Sequence, residues 1–75
     1  MRIVELTAGQ QARVIGFAEG DRVYRQKLIQ MGMKKGTVFT VLRKAPLGDP
    51  VEVNCDGVLL TLRKGESDIV QVECV

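Results

Sequence analysis

With 75 residues, 45% of them hydrophobic, the chain makes one domain with a small core, because folding at this length buries only about 60% of the unfolded surface. A net charge of +2 is too mild to argue for DNA binding, and the lack of histidine removes Ser-His and Cys-His nucleophile pairs and the commonest metal ligand. No apolar run approaches the roughly 20 residues that span a bilayer, and Glu5 and Gln10 interrupt any signal-peptide pattern, so a cytoplasmic location is expected.

Ile3 to Leu6 reads as a short lead-in, and Thr7-Ala8-Gly9-Gln10 as a turn. Ala12 to Phe17 alternates as a strand, with Gly16 marking a bend. Glu19-Gly20-Asp21 breaks it, and Asp21 is placed to N-cap a helix over about residues 22–31. On that helix Tyr24, Leu28 and Met31 fall at i, i+4 and i+7 and form the apolar face. Gly32 stands where a helix C-terminus favours positive φ. Met33 then returns toward the core, and Gly36 bends the chain into a strand over Thr37–Lys44, rich in β-branched residues.

Ala45-Pro46-Leu47-Gly48-Asp49-Pro50 is a stiff turn with Leu47 at its tip. Val51–Cys55 and Val58–Leu62 flank Asp56-Gly57, the strongest short hairpin signal. A two-residue turn sets Cys55 opposite Val58, Val53 opposite Leu60 and Val51 opposite Leu62, all apolar and on one face. Glu52 opposite Thr61 and Asn54 opposite Leu59 take the other face, and a one-residue slip would destroy the match. Arg63 to Asp68 is polar and holds a short helical turn. Ile69 to Val75 ends the chain as a strand with Val70, Val72 and Cys74 on one side, so Cys55 and Cys74 are both expected as small core fillers. The whole is mainly β: a small barrel with one inserted helix, whose closure hides its strand edges.

Chemistry is sparse. Gly32-Met33-Lys34-Lys35-Gly36-Thr37 lacks P-loop spacing and leads into a strand instead of a helix. Asp49, Glu52 and Asp56 straddle a loop, a strand and a turn, and two thiols fall short of a closed soft-metal site, so no metal or cofactor is assigned. No spacing suggests a positioned acid or base, so the reading is a binding module, not an enzyme. The aromatics Phe17, Tyr24 and Phe39 each sit where core packing explains them, which leaves no stacking platform for nucleic acid. Partner binding has two pointers. Leu47 projects from its loop, and Arg22, Arg25 and Ile29 share the helix face opposite the Leu28 stripe, an apolar residue beside a polar rim.

Tyr24-Arg25-Gln26-Lys27-Leu28, Met31-Gly32-Met33, Gly36, Ala45-Pro46-Leu47-Gly48-Asp49-Pro50 and Leu62-Arg63-Lys64 resemble the FeoA family in order and spacing. Met31 stands where many relatives have Leu, a volume-conserving difference. The resemblance implies a free-standing cytosolic SH3-like barrel with an inserted helix. It also implies an accessory role in ferrous iron uptake, docking on the cytosolic part of FeoB, the membrane GTPase transporter. The residues expected to meet that partner are Arg22, Arg25, Ile29 and Leu47. Leu28 is expected in the core, beside a cleft open to a partner's apolar side chain. The competing reading is a small barrel that binds RNA or another acidic partner through Lys34, Lys35, Arg43 and Lys44.

Overall fold

The computed structural model describes residues 1–18, 22–47 and 49–75. Among them the elements run as a 3-10 turn (Ile3–Glu5), β1 (Gln11–Phe17), α1 (Arg22–Gln30), β2 (Val38–Lys44), β3 (Val51–Cys55), β4 (Val58–Leu62), α2 (Lys64–Ser67) and β5 (Val70–Cys74). The expected N-cap, Asp21, lies outside the described residues. The five strands form one antiparallel sheet in the order β4-β3-β2-β1-β5. Its end strands do not pair, so the barrel is open between β4 and β5.

The β3–β4 hairpin has the register that its turn demands. Val51 pairs with Leu62, Val53 with Leu60 and Cys55 with Val58. Asp56 and Gly57 take φ of 58° and 83°, the double left-handed turn whose twist matches that of the strands. Five of the six inner-face residues are buried. Val58 is the exception at 55% exposed: it lies on the edge strand of the sheet, although its partner Cys55 is buried.

Two irregularities bend the sheet. The β1–β5 register shifts between Val14 and Gly16, where a bend was expected, and the β2–β3 register shifts between Val41 and Arg43. Bulges of this kind increase local twist and help a small sheet wrap a core. That core is built from every strand: Ala12, Val14, Phe39, Val41, Val51, Val53, Leu60, Leu62, Val70 and Val72. Ile3 and Leu6 join it from the 3-10 turn, and Leu28 and Met33 from the helical segment.

Two expected core residues lie elsewhere. Cys74 is exposed, at the end of β5 where the core has finished, with its Sγ 3.8 Å from the sulfur of Met1. Tyr24 is 39% exposed, with its ring against Gly65 of α2 and not in the core of the sheet. Cys55 is buried as expected. No helix among the described residues is long and apolar enough to cross a membrane.

Candidate functional site

The helix α1 is held from below and left bare above. Its stop is a full C-terminal cap: Gly32 at φ 103° donates its N–H to Ile29 O at 3.1 Å, and Met33 donates to Leu28 O at 2.9 Å. The hydrophobic contact that accompanies such caps is supplied by Leu28 and Met33, both with no exposed surface. Leu28 is the buried residue of α1. It therefore belongs to the core, as expected, with no exposed surface of its own.

Three further contacts orient the helix. The Tyr24 ring lies against Gly65, so close that a Cβ there would stand 3.1 Å from the ring. Arg25 sits over the Phe17 ring at 5.7 Å, a cation–π distance. Lys27 reaches the carboxylate of Glu66 in α2, Nζ to Oε2 3.0 Å. Glu66 is 3% exposed, and its other oxygen accepts the Arg63 main-chain N–H at 3.0 Å, which caps α2. The Lys27 contact is an ion pair more than an aligned hydrogen bond, since Oε2 has no partner that meets hydrogen-bond geometry. Burial pushes the Glu66 carboxyl up, but Lys27, the Arg63 amide and the two positive charges outweigh it and hold it below the usual value. Sequence reasoning placed a short helical turn in this polar stretch but assigned Glu66 no role. A Glu at the third position of a short helix was the available signal, since it suits a cap that reaches back to its own N-terminus.

On the outer side, Arg22, Arg25, Gln26 and Ile29 line a groove of about 280 Å³. Ile29 is 43% exposed and shares that groove with Arg22 and Arg25, and α1 carries no acidic residue. This brings together three of the residues expected to meet a partner. Leu47 is not brought to them. At 96% exposed it lines a separate groove of about 290 Å³ with Arg2, Val4, Asp49, Lys64, Ser67 and Asp68.

The basic pairs do not form one surface. Arg43 is engaged by Glu52 at 3.0 Å, and Lys44 donates to Val4 O at 2.9 Å. Lys34 and Lys35 precede the start of β2 while Arg43 and Lys44 end it, so the two pairs lie at opposite ends of that strand. Among the described residues no three of His, Cys, Asp and Glu gather closely enough to share a metal ion. Burial and then the Asp56 charge push the Cys55 thiol up, which suits a core thiol and not a thiolate ligand or nucleophile.

Comparison with known proteins supplies a context for this geometry. A family model described as the FeoA domain matches residues 1–74. A curated Porphyromonas gingivalis protein, named as a fusion of Fe(2+) transport protein A with the Fe(2+) transporter FeoB, is 37% identical over all 75 residues. The chain spans only 9% of that protein's length. The solution structure of FeoA from Chlorobium tepidum is 43% identical, with a TM-score of 0.89 over 100% of this chain and 70% of that one. Stenotrophomonas maltophilia FeoA, described as complexed with zinc and as a prokaryotic SH3 domain protein, is 25% identical. It superposes with a TM-score of 0.82 over 97% of this chain and 89% of its own. The five-stranded sheet with its inserted helix is thus an SH3-like fold.

Proposed function

This chain belongs to the FeoA family, and from that premise we propose that it is an accessory module of ferrous iron uptake that docks on the cytosolic part of FeoB. The observation that carries the reading is the fusion relative, where a domain 37% identical to the whole chain is joined covalently to the transporter. Joining two proteins in one chain keeps each at high effective concentration for the other, an advantage where their separate copies must meet. A partner for a transporter's cytosolic part works in the cytoplasm.

The docking face is the outer side of α1. Arg22, Arg25 and Ile29 offer an exposed apolar residue beside two basic ones in one groove. Arginine is suited to such a site because its planar fork pairs with carboxylates in two places at once. Leu47 and its groove form a second surface for the same large partner. The module acts by binding: among the described residues the one buried carboxylate is spent on Lys27 and the α2 cap, and the buried thiol of Cys55 is held neutral.

The test is Ile29→Glu. The side chain is exposed, so the substitution leaves the fold and the unfolding midpoint near those of the parent. Affinity for the cytosolic part of FeoB, measured by calorimetry, falls at least tenfold. A folded variant that binds like the parent removes α1 from the interface.

A further inference from the structure

The two edges of the open sheet are finished differently. The outer edge of β5 is covered by the start of the chain: Val72 donates its N–H to Met1 O at 2.9 Å, and Arg2 bridges Gln71 in antiparallel fashion. The outer edge of β4 has no such cover among the described residues. Its sequence, Val58-Leu59-Leu60-Thr61-Leu62, carries no charge, proline or glycine, and its pairing with β3 contains no bulge. These are the devices by which edge strands normally avoid pairing, and β4 has none of them within the strand.

The register identifies which groups are unpaired. In a two-residue hairpin the residues flanking the turn exchange hydrogen bonds, so Cys55–Val58, Val53–Leu60 and Val51–Leu62 face inward along the ladder. The main-chain N–H and C=O of Leu59 and Thr61 therefore point away from β3. No hydrogen bond among the described residues reaches them. Both residues are exposed, which leaves these four groups open to pairing among the described residues. Leu59 is 58% exposed, and its neighbour Val58 is 55% exposed.

We propose that β4 is a self-pairing edge, and that its occupant is the β4 of a second copy of this chain. A two-fold axis at Leu60 sets Leu59 against Thr61 of the other copy and Thr61 against its Leu59. That single register satisfies all four unpaired groups, and satisfies them twice by symmetry, as an isologous interface requires. Val58 then lies opposite Leu62 of the second copy and loses its exposure. Charge chooses the same arrangement. β4 follows Asp56 and precedes Arg63 and Lys64, so antiparallel self-pairing brings the acidic end of each strand to the basic end of the other. A parallel pair would set like charges together at both ends. The contact is a short strand pair, below the roughly 1,200 Å² of stable interfaces, so the dimer is weak and concentration-dependent. It uses none of the α1 groove residues, so it is compatible with docking through that face and would present two copies of it on one continuous sheet.

The experiment is sedimentation equilibrium from dilute to near-millimolar protein, with amide hydrogen exchange at both extremes. The average mass rises toward the dimer, and the Leu59 and Thr61 amides slow as it does. Leu59→Lys, a surface change that leaves the hairpin pairing intact, returns the protein to monomer. Asp56→Lys weakens the dimer because it sets like charges at both ends of the pair. A mass that stays monomeric throughout overturns the proposal. So does a dimer that survives Leu59→Lys, or protection of those amides only by an extended segment of another protein.

Discussion

Leu28→Ala separates core from surface at the one residue that the helical pattern left with two roles. The side chain has no exposed surface and is the buried anchor of α1, packed where Met33 returns across the Gly32 cap. Truncating a buried leucine costs about 2–5 kcal/mol, the spread reflecting how far the site collapses. Leu28 sits at the margin of the core, where the helix can settle inward, so about 3 kcal/mol is expected. A domain of this length has roughly 4–11 kcal/mol of total stability, at 0.05–0.15 kcal/mol per residue. The loss is therefore a large fraction of the whole. It lowers the thermal midpoint by about 12–24 °C, at 4–8 °C per kcal/mol for this size. In urea, with a slope near 1 kcal/mol per molar, the midpoint falls by about 3 M. Far-UV circular dichroism is the assay, since the chain lacks tryptophan and has a single tyrosine. A loss below about 1 kcal/mol with an unchanged slope would mean that Leu28 does not anchor the helix.

Glu66→Gln keeps an oxygen for the Arg63 cap but removes the charge facing Lys27, and costs about 1–2 kcal/mol, modest because Lys27 is 59% exposed and screened. Because the folded carboxyl lies below its ordinary value, the parent gains stability above the unfolded pKa and loses it as pH falls through the folded one. Urea midpoints across the acid range should therefore fall less steeply in the variant than in the parent, and parallel curves would refute the pairing. Gly32→Ala forces a side chain onto φ 103° and costs about 1–2 kcal/mol by the same denaturation assay. An alanine variant as stable as the parent would show that the cap relaxes without strain.

Local chemistry was legible in the chain, and distant pairing was not. The Asp56-Gly57 turn and the alternation on either side specify one register, and all five pairs of that hairpin follow it. Gly32 marks the helix stop through its own backbone conformation. What escaped depends on where an element ends in space. Val58 and Cys74 continue an inward alternation yet stand exposed, and Tyr24 shares a helical face with Leu28 yet lies against Gly65. The Lys27–Glu66 pair joins residues 39 positions apart, beyond any local pattern. The candidate site was half legible: Arg22, Arg25 and Ile29 share a helix side by periodicity and line one groove, whereas the separation of Leu47 from them depends on how the loop is carried by the sheet.

The most direct test of the docking account is an amide NMR titration of the labelled protein with the cytosolic part of its FeoB. The account predicts shifts concentrated at Arg22, Arg25, Gln26 and Ile29, with a second set around Leu47, while the β1–β5 pair stays still. Saturable binding whose shifts avoid α1 would contradict the assigned face. No shifts at saturating FeoB would contradict docking itself.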